Sequence, residues 1–61
     1  MANYRFYRLD GAGKIASLPE HLHADSDDQA MALLLGQKRR VMCELWDQKR
    51  LVGRVPAYRA Q

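Results

Sequence analysis

The chain has 61 residues, one cysteine and a formal net charge of +3 at pH 7. That length holds a single domain, residues 1–61. A content of 48% hydrophobic and 28% charged residues excludes a disordered chain, and no apolar run reaches the ~20 residues of a membrane span. Burying only roughly 60% of the unfolded surface leaves so short a chain marginal. A lone Cys43 cannot staple it internally, so shelter from a partner is the expected remedy. The opening Met1-Ala2-Asn3-Tyr4-Arg5 lacks a signal-peptide core, and one thiol suits a reducing compartment. Cytoplasmic location is therefore expected.

In chain order, Tyr4–Leu9 is an aromatic and apolar run without Gly or Pro and predicts a first strand. Asp10-Gly11 marks a turn, after which Lys14–Leu18 would return as a second strand. Pro19 lacks a backbone donor and puts that strand at an edge or a bend, with Glu20–Ala24 extended or irregular beyond it.

A helix over about 26–39 is the best-marked element. Ser26 and Gln29 fit a capping box, and Asp27 and Asp28 suit the first turn. Lys38, Arg39 and Arg40 would suit the last turn. Ala30, Leu33, Leu34 and Gln37 follow the i, i+3, i+4, i+7 spacing of a buried stripe, and Gly36 is a weak point or an early end. Val41–Trp46 predicts a third strand and Leu51–Val55 a fourth, joined by the polar Asp47-Gln48-Lys49-Arg50. Pro56 ends the fourth strand, and 57–61 would fray.

These elements make an α+β, ββαββ domain. Strands two and four have Pro at or near them and suit edges, which gives the order 2-1-3-4 with every neighbour antiparallel. The runs Tyr4–Asp10, Gly13-Lys14-Ile15, Asp25–Asp28 with Ala30, Glu44-Leu45-Trp46, and Arg50 with Val52 resemble a family of very short alphaproteobacterial proteins over about residues 4–55. The resemblance implies a bacterial origin and a ββαββ unit, and it brings no chemistry with it.

One helix covers only one face of a four-stranded sheet. Alternation puts Val41, Cys43 and Leu45 on one face, where the helix is expected. An even-length hairpin would pair Trp46 with Leu51, Glu44 with Gly53 and Met42 with Val55. Met42, Trp46, Leu51 and Val55 would then form an aromatic and apolar patch on the other face, the surface of a homodimer.

The alternative is a basic surface of Lys38, Arg39, Arg40, Lys49, Arg50 and Arg54 that binds single-stranded nucleic acid, with Tyr4, Tyr7 and Trp46 stacking on bases. No RNP-type motif accompanies it, and helix and hairpin ends also attract such charges. His21, His23 and Asp25 could share a strand face, but that spacing alone more often marks solvated histidines than a metal site. Cys43 reads as a buried thiol rather than a nucleophile; Asp27, Asp28 and Glu20 could be read as paired carboxylates, but helix capping explains the first two without any chemistry. No cofactor, metal, membrane contact, small-molecule substrate or enzymatic activity is expected.

Overall fold

The structure is a computed structural model that describes residues 2–59. Strands β1 (Ala2–Arg8) and β2 (Glu20–Ala24) precede helix α1 (Asp27–Gly36), and β3 (Cys43–Asp47) and β4 (Arg50–Val55) follow it. The four strands form one antiparallel sheet in the order β2-β1-β3-β4. This is the expected ββαββ architecture. Extents of 32 × 25 × 15 Å fit two layers, one sheet and one helix. No helix among the described residues is long and apolar enough to cross a membrane.

The return from β1 differs from expectation. Leu9 bridges Ile15, and Ala16 donates to the Arg8 carbonyl at 2.8 Å, so an arm does start after the Asp10 turn. The turn is held by Asp10 Oδ1, which accepts from Ala12 N at 2.9 Å and Lys14 N at 3.0 Å, with Gly13 at φ +80°. The arm stops at Ser17, whose hydroxyl accepts the Arg8 N–H at 2.9 Å. Leu18 is 86% exposed, and Pro19 offers no donor. Continued from Leu9–Ile15, the register would bring Phe6 to Leu18, yet Phe6 faces Glu20. Two extra residues are looped out, and the strand proper is Glu20–Ala24 rather than Lys14–Leu18.

The helix begins as its sequence dictates. Ser26 Oγ accepts the Gln29 N–H at 3.1 Å, and the Gln29 side chain reaches back to accept from Asp25 N. It ends at Gly36, not near Arg39. Gln37 caps it, and Lys38 turns left-handed at φ +54°, so Lys38, Arg39 and Arg40 lie beyond the last turn. The buried stripe is Ala30 and Leu34 with Met31 beside them, while Leu33 and Leu35 face solvent.

The second hairpin is tighter than expected. Asp47 pairs with Arg50 across a two-residue turn in which Gln48 takes φ +56°. A bulge then makes Val52 an extra residue: Trp46 still faces Leu51, but Leu45 faces Gly53, Glu44 faces Arg54 and Cys43 faces Val55. One added residue changes the face of everything beyond it. Val55 therefore moves to the covered face, where it is buried among Tyr4, Phe6, Ala24, Ala30, Leu34, Cys43 and Leu45. Gly53 also lies on this side: a Cβ there would sit 3.5 Å from Met31 Cε of the helix, so the absent side chain gives Met31 its seat.

Of the tail expected to fray, Tyr58 N donates to the Arg39 carbonyl at 2.6 Å, and Lys38 Nζ lies 5.7 Å from the Tyr58 ring. Residues 60 and 61 lie outside the described residues.

Candidate interaction face

Strand pairing lays the helix-free face out in cross-strand rows. One row reads His21, Arg5, Trp46, Leu51, and another reads Tyr7, Glu44, Arg54. His23 opposes Asn3 on the same side. Met42 precedes β3 on this side by alternation and is 39% exposed, and Leu51 is 47% exposed. Trp46 is half-buried, and its Nε1–H donates to Glu44 Oε1 at 2.9 Å. Glu44 is buried and also accepts from Arg54 Nε at 3.1 Å. The face is therefore bare but not purely apolar. Trp46, Leu51 and Met42 occupy its β3–β4 half, laced by a Trp–Glu–Arg chain, and the expected fourth member, Val55, is on the covered side.

The six cations read as one basic surface do not form one. Arg39 clasps Glu20 with two hydrogen bonds, 2.8 and 3.1 Å, and lies 4.8 Å above the Phe6 ring. Arg50 forks onto Asp27 with two bonds of 2.9 Å and adds a third of 2.9 Å to Asp47. Arg54 is bound to Glu44, and Lys38 leans on Tyr58. Arg40 is exposed in the α1–β3 connection, and Lys49 stands at the hairpin tip at the other end of β3.

Asp27 and Arg50 belong to a clamp that joins three elements. Tyr4 Oη–H of β1 donates to Asp27 Oδ1 at 2.8 Å, so the helix start is tied to both β1 and the β3–β4 hairpin. Hydrogen bonds from Arg50 and then Tyr4 hold the Asp27 carboxyl below the ordinary carboxylate range. The same bond to Asp27, with burial, pushes the Tyr4 phenol up, and Arg50 is raised by both acids. A depressed carboxyl contributes stability above its unfolded pKa of about 4, and that contribution is lost as pH falls through the lower folded value. Thermal melts from pH 7 to pH 2 should show the wild-type Tm falling below about pH 4, with a shallower fall in Asp27→Asn. Parallel acid limbs for the two proteins would refute the clamp.

Among the described residues no group of three His, Cys, Asp or Glu side chains could hold a metal. His21 and His23 are exposed on the helix-free face, and Asp25 lies past the end of β2. Cys43 is 1% exposed on the covered face; burial, first among several influences, pushes its thiol pKa up and keeps it neutral. It borders a cavity of about 200 Å³ with Leu34, Val41, Val55 and Tyr58.

A larger open depression of about 550 Å³ lies at the β1–β2 end of the helix-free face, lined by Asn3, Arg5, His21, His23, Gln48 and Lys49. Arg5 is anchored there by an N–H bond to the Gln48 carbonyl, 2.6 Å. Sequence reasoning missed Asn3, Arg5 and Gln48 because their grouping needs β2 at Glu20–Ala24. The alternation of Asn3 and Arg5 with His21 and His23 is the signal that could have found it. Compared with protein-family models, curated proteins and solved structures, the chain has no significant match, so this geometry is what bears on its function.

Proposed function

We propose that this small bacterial protein is an interaction module of the cytoplasm that self-associates as a two-fold dimer through the helix-free sheet face. The observation that supports the reading is the bare β3–β4 half of that face, where Leu51 and Met42 are exposed beside an indole whose N–H already has a partner in Glu44. Covering that ring with a second copy strands no donor. Burial there would also offset the shortage of core in so short a chain.

Nucleic-acid binding by Lys38, Arg39, Arg40, Lys49, Arg50 and Arg54 has less support, because Arg39, Arg50 and Arg54 are each held by a carboxylate.

The test is solution mass by sedimentation at micromolar concentration, with Leu51→Lys and Leu33→Lys compared. Leu33 is 45% exposed on the helix and samples the opposite side of the molecule. A dimer that Leu51→Lys dissociates and Leu33→Lys leaves intact is expected. A monomeric wild type, or dissociation by Leu33→Lys alone, would defeat the reading.

A further inference from the structure

The depression at the β1–β2 end of the helix-free face gathers positive charge that the molecule's own acids do not answer. Its lining residues come from three places: Asn3 and Arg5 from β1, His21 and His23 from β2, and Gln48 and Lys49 from the hairpin tip. No Asp or Glu lines it. Elsewhere Arg39, Arg50 and Arg54 each meet a carboxylate within 3.1 Å, whereas no ion pair among the described residues involves Arg5, His21, His23 or Lys49. Glu20 begins β2 on the other face, where it serves Arg39.

The groups are also aimed. His21 lies directly across from Arg5, and His23 lies directly across from Asn3, so both imidazoles share the face of the guanidinium. A guanidinium has five N–H donors. One of Arg5's is spent on the Gln48 carbonyl, which fixes the fork without neutralising it. Imidazole N–H, amide and ammonium groups complete a set rich in donors. A metal would need further convergent ligands, and no such group is found among the described residues. A volume of about 550 Å³ falls within the range of small-ligand sites.

We propose that this depression binds the phosphate group of a small phosphate monoester, with Arg5 and Lys49 as charged donors and His21, His23 and Asn3 as hydrogen-bond donors to its oxygens. A multiply charged tetrahedral phosphate, which can offer two oxygens to one partner, suits a planar guanidinium fork paired with a point-charge ammonium. Trp46 stands beside Arg5 in the same cross-strand row; in a monomer it would give an organic substituent an aromatic neighbour, whereas the two-fold contact would cover that ring. Binding here does not require the two-fold contact, which is centred on Leu51 and Met42 across the sheet.

Histidine ring signals in proton NMR read the site directly. Titrating the protein with inorganic phosphate, and separately with adenosine 5′-monophosphate, at low salt and constant pH should move the His21 and His23 signals saturably. The monoester should bind more tightly. Lys49→Gln, at an exposed turn position, should weaken binding about tenfold, as loss of a charge-assisted contact does. Arg5→Gln should do at least as much, and Arg40→Gln, outside the depression, should change nothing. Circular dichroism checks that Arg5→Gln folds, and Lys49→Gln carries the test should it not. Linear, non-saturating shifts, or equal affinity in Lys49→Gln, would overturn the proposal. So would a single-stranded oligonucleotide that binds with a steep salt dependence while phosphate and the monoester do not, since that would make the face a nucleic-acid surface. The sedimentation result for Leu51→Lys is unaffected by either answer, so the two readings fail separately.

Discussion

Leu45→Ala is expected to leave no cooperatively folded protein at 25 °C. Leu45 is fully buried on the central strand β3, between Phe6 on β1 and Gly53 on β4, under the helix. Truncating a buried leucine costs about 2–5 kcal/mol, since the transfer energy is lost and a cavity remains. One core in a chain below ~70 residues rarely supplies more than about 3–5 kcal/mol. Gly53 offers no side chain to collapse into the gap, and Phe6 is already held under Arg39. Thermal melts followed by circular dichroism should show no sigmoidal transition for Leu45→Ala. Leu18→Ala, at a position 86% exposed, should stay within about 0.5 kcal/mol of wild type. A cooperative melt of Leu45→Ala within a few degrees of wild type would contradict this account of the core.

Arg39→Lys is expected to destabilise the fold nearly as much as Arg39→Ala. Arg39 does two things: its fork clasps both Glu20 oxygens, and its guanidinium carbon lies over the Phe6 ring, 4.8 Å from the centroid. Its backbone carbonyl also receives the Tyr58 N–H. The side chain therefore pins the start of β2 to the core through Phe6. Hydrogen bonds to charged groups contribute about 1.5–3 kcal/mol, and cation–π contact about 0.5–1 kcal/mol at exposed sites. Partial exposure of the pair, 28% and 37%, reduces the sum to about 2 kcal/mol. For a domain this small that is roughly 8–16 °C in Tm. Lysine keeps the charge but loses the bidentate and stacked geometry. A melt of Arg39→Lys at the wild-type temperature would show that charge alone is what matters there.

Much of the fold was legible because local chemistry states it. Ser26, Asp27, Asp28 and Gln29 act within one turn, so the helix start is visible in four residues. The strand order followed from proline: Pro19 and Pro56 flank strands that lie at the edges. Alternation in Cys43–Leu45 identified the covered face. The helix end was less legible, because the left-handed residue is Lys38 while Gly36, the residue suited to that role, stays helical.

The site was legible only in part. Trp46 and Leu51 were correctly paired, since they lie next to the turn and before the bulge. Val55 was misplaced because one looped-out residue, Val52, lies between it and the turn, and no residue type announces that slip. The basic run Lys38-Arg39-Arg40 looked like a patch because sequence neighbours look like spatial neighbours. In the fold, Arg39 turns inward to Glu20, nineteen residues away, and leaves the run.

The sequence by itself determined that four strands and one helix form, where the helix begins, how many layers form and that the second and fourth strands are edges, because each rests on interactions within a few residues or on the period of apolar positions. It did not locate the second strand, which is Glu20–Ala24 and not Lys14–Leu18. Tertiary structure decided the registers, and through them the faces. Which Arg meets which acid, which side Val55 occupies and how Arg5 joins His21 and Lys49 depend on pairings between distant segments. With a side-chain period of two, one extra residue reverses such a pairing at little local cost.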